Sequence, residues 1–393
     1  LFLSPARGIH AELKGAMVVQ PNLETMPLRV LVVGQTPPPY GGQAAMVQLL
    51  LEAHFRGIQL FHVRMNFSQE LDTAGKFRIA KLWELIRVVL CIYRERICHR
   101  PEVLYYPPSG PRLFPMIRDI FILGSTRWLF RATVFHFHAS GISTYSRQLP
   151  AALRMLFQLA FRKPDLAIRI SRRAPAEGVQ LQSKREVIVP NGIPDSCGSL
   201  VKRAEDKQGP IRILFVGLLS EDKGVLVAVQ AVHCLLMAGA NLELTCLGRW
   251  ESSEFRGRVL SSIDAKYQER FRFPGVIAGE QKWSYYRQAN IFVFPSFFHS
   301  ETFPVVLLEA MCFSLPVITT AWRGIPDVVE EGRSAILCVP KNMESCRKAI
   351  EKLVASPDVC EIMGKQGRAR FLQYFTLDAH LDAMERALSA LKG

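Results

Sequence analysis

No apolar stretch of this chain runs for the ~18 uncharged residues that a membrane-spanning helix needs. Arg87 breaks the run 82–93, and Gln230 and His233 break 225–240. An integral membrane protein is therefore not expected. Ordered cysteine is lacking too: nine are present, an odd number with no Cys-x-x-Cys pair, which argues against a disulfide framework or zinc site and for a reduced, cytosolic setting. No Gly-x-Gly-x-x-Gly follows the first strand-like run, so a dinucleotide fingerprint is absent. No Asp-x-Asp pair is available to hold a metal, and the His136/His138 pair has no carboxylate or Cys spaced to complete a site. The start has no clean signal peptide, because Pro5, Arg7 and Gly8 interrupt any apolar core.

What is present suits a two-domain globular protein: 393 residues, 49% hydrophobic. The formal charge of +14 is uneven. Residues 27–190 carry 23 Lys+Arg against 10 Asp+Glu, and 191–393 carry 24 against 23. A one-sided basic domain attracts an anionic partner. There is no nucleic-acid module, and the basic residues interleave with Leu, Ile, Val and Trp, which favours an anionic membrane leaflet over nucleic acid or a merely solvated face. Residues 76–100 repeat apolar positions at Phe77, Ile79, Leu82, Leu85, Ile86, Val89, Tyr93 and Ile97 between Arg and Lys. A core-packed amphipathic helix is the simplest reading; a helix on the membrane interface is the sharper one.

Residues 1–26 read as an extension that carries no function. Arg29–Gly34 reads as the first buried strand, followed by a Pro-rich turn, Gly41-Gly42 and a helix over 43–53. Two glycines at a helix entrance let backbone approach a ligand and turn N–H groups toward negative charge, although a plain turn explains them as well. Ala132–Phe137 is a further strand ending at His138. Asn191-Gly192 is a turn dipeptide in a linker, and Gly209-Pro210 precede a new strand, Ile211–Gly217, that opens the second domain.

The segment 291–332 organises the second domain. Ile291–Phe294 and Leu315–Thr320 suit buried parallel strands, and a helix between them should start near Pro304 with Thr302 or Phe303 at its cap. That is a strand-to-helix crossing where free N–H groups attract phosphate. Glu301 precedes the helix and Glu309 lies in its second turn, at most roughly 12 Å further along, so the two carboxylates can reach different hydroxyls of one extended ligand. Unrelated surface carboxylates are the bland alternative.

The run ETFPVVLLEAMCFSLPVIT resembles the E-x7-E signature of the retaining glycosyltransferase 4 family, "glycosyl transferases group 1". The resemblance extends in order over residues 28–390. It implies a GT-B fold: two Rossmann-like α/β domains facing each other across a cleft, divided as 27–190 (acceptor-binding), a linker at 191–210, 211–370 (nucleotide-sugar-binding) and a helix in 371–393 crossing back to the first domain. By the same resemblance Glu301 and His138 face the reacting sugar, Glu309 binds the ribose, Lys223 and Gly41-Gly42 meet the diphosphate, and Gly217, Val276, Phe303, Pro304 and Val305 complete the donor site.

Three departures stand out. Leu218 replaces the Arg of G-R-L-x-x-x-K-G, leaving Arg249 or Arg323 to compensate; Gly248-Arg249-Trp250 replaces G-x-G; and Ser314 replaces a Gly. The implied function is transfer of a sugar from a nucleotide-diphosphate sugar to a glycan or lipid-linked acceptor of the cell envelope, with no cofactor and no metal, in the cytoplasm or at the inner membrane face. A sugar-nucleotide epimerase or phosphorylase of the same fold, or an inert binding subunit, are the alternatives.

Overall fold

The computed structural model describes residues 26–38, 41–67, 76–198 and 209–392. The expected extension, apart from Met26, and the 199–208 part of the expected linker lie outside them. The first half forms six strands: β1 (Leu28–Gly34), β2 (Ile58–Arg64), β3 (Val103–Tyr106), β4 (Ala132–Phe137), β5 (Leu166–Arg169) and β6 (Arg185–Ile188). They pair in parallel in the order β2-β1-β3-β4-β5-β6. Strands β3 and β4 are buried at every position because helices cover both faces of the sheet.

Alternation along these strands divides their side chains between two cores. Leu31, Val33, Leu104, Tyr106 and Phe135 pack with the helices Lys76–His99, Leu113–Thr126 and Ala151–Phe161. Leu28, Val30, Val32, Val103 and Tyr105 pack on the other face, with Val47 and Leu50 of the helix Gly42–Glu52 and with Met384, Ala387 and Leu388 of the last helix, Leu377–Ser389. The last helix thus returns to the first sheet. In the helix Lys76–His99 the packed stripe is Val88 and Ile92, flanked by Leu85 and Val89. Leu82, Ile86 and Ile97, which the sequence pattern placed in the core, point to solvent.

The second sheet contains β7 (Ile211–Val216), β8 (Leu242–Leu247), β9 (Phe271–Gly275), β10 (Ile291–Phe294), β11 (Val317–Thr320) and β12 (Ala335–Cys338). Its parallel order, β12-β11-β10-β7-β8-β9, is the doubly wound 3-2-1-4-5-6 arrangement. Strand order reverses between β7 and β10 here, and between β1 and β3 in the first sheet. Open α/β sheets bind ligands beyond the carboxyl ends of strands at such points.

The chain passes between the sheets twice, and the two passages are bonded to each other. Ile193 N–H donates to the Phe375 carbonyl at 3.0 Å, and Leu377 N–H donates to the Ile193 carbonyl at 2.8 Å. The return passage falls between the helix Pro357–Tyr374, whose Phe371 is in the second core, and the helix Leu377–Ser389. Away from these passages, Ser171 after β5 donates to Asp327 Oδ2 at 2.6 Å, and Arg173 N–H reaches the same oxygen at 2.8 Å. Asp327 lies on the short helix Ile325–Val328 of the second domain, so the lobes also meet directly.

Candidate active site

The second domain supplies two charged clusters at its switch point. The loop after β7 turns sharply at Gly224, where φ is +82° and a Cβ would lie 2.3 Å from the Pro295 carbonyl oxygen; only glycine fits. This contact sets Lys223 beside the loop that follows β10. Lys223 Nζ lies 2.5 Å from Glu301 Oε2, the Ser296 hydroxyl donates to the same oxygen at 3.0 Å, and the ammonium stands 4.4 Å from the centre of the Phe298 ring. Glu301 is buried, and its carboxylate is matched by a cation and a hydroxyl.

The second cluster surrounds Glu309, on the helix Val305–Cys312. Lys282 Nζ lies 2.6 Å from Oε1, and the Tyr286 hydroxyl donates to Oε2 at 2.6 Å. Lys282 and Tyr286 are four residues apart on the helix Gly279–Gln288 and so share a face. Burial and the neighbouring carboxylate push the Tyr286 hydroxyl pKa well above its ordinary value, so it acts as a donor. Lys282, Tyr286, Ser296 and Phe298 are not among the site residues expected from the sequence. Their signal, an i,i+4 pair on one helix and two positions flanking a strand end, is ordinary until Glu309 and Glu301 are placed beside them.

The helix carrying Glu309 begins at Val305 with Pro304 as its cap, one or two residues later than the expected cap at Thr302 or Phe303. Those two side chains are buried, and Phe303 packs edge-on against Phe375 of the return passage at 5.6 Å. No side chain caps this helix. Opposite it, the first domain's helix Gly42–Glu52 starts after Gly41, also without a side-chain cap. A Cβ on Gly42 would stand 3.9 Å from Val305 Cγ2. Two uncapped helix N-termini, one from each lobe, therefore converge, each concentrating free N–H groups and positive dipole. Arg64 donates to the carbonyls of Thr36, Pro37 and Pro38, which follow β1.

Gly217 directly follows β7, and its carbonyl oxygen would lie 1.7 Å from a Cβ on Gly248, so the glycine of Gly248-Arg249-Trp250 is sterically required. Trp250 fills the space beyond by packing against Phe273 of β9 at 5.1 Å. Val276, just past β9, is exposed. Leu218 is exposed as well, and so are the alternative cations Arg249 and Arg323. Ser314 adopts φ +55°, the left-handed conformation glycine would adopt without strain.

His138 belongs to a different group. The centre of its ring lies 4.1 Å from that of His136, with the planes tilted by 37°, and His136 Nδ1 is 2.5 Å from the Tyr105 hydroxyl. Among the described residues, both ring nitrogens of His138 are shielded without a partner, as is His136 Nε2. Burial, reinforced by His380, pulls the pKa of His138 down to about 3, so the ring is neutral. Among the described residues no hydrogen bond or ion pair joins His138 to Lys223, Glu301 or Glu309.

Two facing Rossmann-like sheets with a C-terminal helix returning to the first constitute a GT-B fold. Residues 200–370, which carry the whole second sheet, match the family described as glycosyl transferases group 1. Among curated relatives, the putative colanic acid biosynthesis glycosyltransferase WcaL of Salmonella typhimurium is 30% identical over 220 residues, 54% of this chain and 52% of that protein. The capsular polysaccharide biosynthesis glycosyltransferase CapM of Staphylococcus aureus is 30% identical over 166 residues, 41% of each chain. The chain spans about half the length of the curated relatives it matches. Anabaena HepE in complex with UDP superposes with TM-score 0.70 at 16% identity, covering 92% of this chain and 100% of that one. Sucrose-phosphate synthase from Thermosynechococcus elongatus gives 0.68 at 20% identity over 92% and 98%. These structural likenesses establish the fold.

Proposed function

We propose that this protein is a retaining glycosyltransferase that moves a sugar from a nucleotide-diphosphate sugar to a glycan or lipid-linked acceptor in cell-envelope polysaccharide or glycolipid synthesis. The carrying observation is the convergence of two uncapped helix N-termini, at Gly42 and Val305, beside the Lys223–Glu301 pair. Breaking the bond between sugar C1 and the diphosphate leaves negative charge on phosphate and partial positive charge on the ring. Preorganised N–H groups, helix dipoles and the Lys223 ammonium suit the first of these, and Glu301 orients the sugar. Glu309, held by Lys282 and Tyr286, offers carboxylate oxygens to ribose hydroxyls. His138, neutral and shielded, serves as a hydrogen-bonding group for the sugar rather than as a cation.

The departing diphosphate is a base on the same face as the incoming acceptor, which agrees with retention without a protein nucleophile. Lys223 and the helix termini supply the positive charge, so in this proposal the transfer needs no metal and no cofactor besides the donor. The relatives named for colanic acid and capsule synthesis support an envelope acceptor, and the excess charge of residues 27–190 supports a cytoplasmic enzyme held peripherally at the inner membrane face. The competing reading as an inert binding subunit rests on one observation, the exposed Leu218 where a phosphate-binding Arg is usual.

A thermal-shift and calorimetric screen of UDP, GDP and ADP and their sugars, on the wild type and on Glu309→Ala, tests the proposal. Stabilisation of the wild type by one nucleotide, lost in the variant, is expected. No response to any of them would favour the inert reading. Release of nucleoside diphosphate only when acceptor is present separates the transferase from an epimerase or phosphorylase.

A further inference from the structure

The helices Lys76–His99, Leu113–Thr126 and Ala151–Phe161 lie side by side, with Leu113–Thr126 between the other two. All three bury one side in the same core over one face of the first sheet. Their opposite sides therefore form one continuous outer surface. That surface is unusually apolar: Phe114 is 81% exposed, Leu159 77%, Trp128 70% and Trp83 68%. The exposed groups fall into stripes at helical spacing, Phe114, Ile117 and Phe121 on one helix, Trp83, Ile86 and Leu90 on another and Met155, Leu156 and Leu159 on the third. Scattered exposed hydrophobes need no explanation, but three adjacent stripes on one layer make a contiguous patch, the mark of a docking surface.

Charge selects the occupant. Exposed Arg94 and Arg154 lie on these helices, and exposed Arg100, Arg112, Arg162 and Lys163 lie at their ends. Asp119, the one acid of Leu113–Thr126, is buried against Arg118, Tyr106 and Ser109, and Ala151–Phe161 has no acid. A second copy docked by this face would bring two strongly basic domains together. An anionic bilayer instead takes apolar and aromatic side chains into its headgroup boundary and pairs the surrounding cations with lipid phosphates.

Orientation follows from the loop 107–112, which joins the carboxyl end of β3 to the helix Leu113–Thr126. Gln43, at the start of the first domain's ligand-facing helix, donates to the Pro107 carbonyl at 3.0 Å. A Cβ on Gly110 would lie 3.5 Å from Ala139, just beyond His138. The Leu113–Phe114 end of the patch thus adjoins the mouth of the cleft, while Trp128 lies beyond the far end of the same helix.

We propose that the outward faces of these three helices form a platform lying on an anionic lipid bilayer, with the Leu113–Phe114 end at the cleft mouth, so that a lipid-linked acceptor enters directly from the membrane surface. The acceptor part rests on the glycosyltransferase reading; the platform does not. The test uses the full chain and co-sedimentation with phosphatidylcholine vesicles, with or without a quarter of phosphatidylglycerol. Binding to the anionic vesicles, weakened by salt and at least about tenfold weaker in Phe114→Ser/Trp128→Ser/Leu159→Ser, is the expected result. These side chains are exposed, and an unchanged melting temperature and nucleotide response in the variant shows that fold and donor site are intact. No binding by the wild type, or equal binding by the variant, overturns the platform. So does a concentration-dependent dimer that the triple variant abolishes, which would make the patch a self-interface. Because vesicle binding is read without donor or turnover, its failure is distinct from failure of the nucleotide screen.

Discussion

The Lys282 ammonium lies 2.6 Å from Glu309 Oε1, and both side chains are largely enclosed. With Tyr286 on the other carboxylate oxygen, Glu309 is held in one orientation before any ligand arrives. Tyr286→Phe keeps the ring that stacks on Phe292 and Phe313 but removes the donor to Oε2. The expected cost is about 1–3 kcal/mol, from leaving a buried acceptor unpaired, seen as a melting temperature several degrees lower. Nucleotide-induced stabilisation should shrink too, since the carboxylate is freed to rotate. An unchanged melting temperature and nucleotide response would show that Lys282 alone fixes Glu309.

Leu218 sits in the loop that leads to Lys223, where the family resemblance calls for a second cation. Because Leu218 is exposed, Leu218→Arg can be introduced without overpacking. A charge-assisted contact to phosphate is worth about 1.5–3 kcal/mol, so calorimetry should show donor affinity rising by roughly tenfold or more. Lys223→Met should do the reverse and also destabilise the protein, since it leaves the buried Glu301 carboxylate with only the Ser296 hydroxyl. If Leu218→Arg changes nothing, the cation is already supplied by another residue, and Arg249 and Arg323 are the side chains to remove next.

Much of this arrangement was legible from local signals. Apolar runs marked β1, β4, β7 and β10, because strands buried on both faces leave no polar alternation to confuse them, and the Glu301/Glu309 spacing singled out two carboxylates that prove to be enclosed among cationic and hydroxyl partners. What could not be read was anything set by packing between distant segments. Lys282 and Tyr286 meet Glu309 only because two helices pack beside each other on the second sheet. His138 and His380 approach only because the last helix returns to the first sheet. Leu82, Ile86 and Ile97 were assigned to a core because helical periodicity identifies an apolar face without telling whether protein or solvent lies against it.

Two backbone positions test the passage between lobes and the end of the Glu309 helix. A Cβ on Gly192 would lie 2.3 Å from the Thr376 carbonyl oxygen and 2.6 Å from His380 Cβ. Gly192→Ala must therefore force the two passages apart, with an expected loss of more than about 2 kcal/mol in denaturant unfolding. Gly41→Ala is the control, because among the described residues nothing lies within 4 Å of its Cβ; it should leave stability nearly unchanged while reducing nucleotide binding. Ser314→Gly relieves a left-handed backbone at φ +55° and should raise the melting temperature, by the equivalent of about 1 kcal/mol. A lower value would mean that interactions of the serine side chain outweigh the strain.

The group of His136, His138 and His380 makes stability depend on pH in a definite direction. Burial depresses the pKa of His136, His138 and His380 below the ordinary 6.5, to about 3 for His138. In each case the folded protein binds a proton less readily than the unfolded chain. The stabilisation from these neutral rings is complete above about pH 6.5 and is lost as pH falls from there toward the folded values. His380 Nδ1 lies 2.7 Å from the Pro190 carbonyl, which favours the protonated ring and opposes burial, so its share of the dependence is smaller. Melting temperatures measured from pH 7.5 down to 5 should fall for the wild type, in a range where ordinary carboxylates remain ionised. His138→Gln should flatten that slope while leaving the value at pH 7.5 less affected. A slope identical in the variant would mean that His138 gains a proton partner, or water, that the closed geometry of the group excludes.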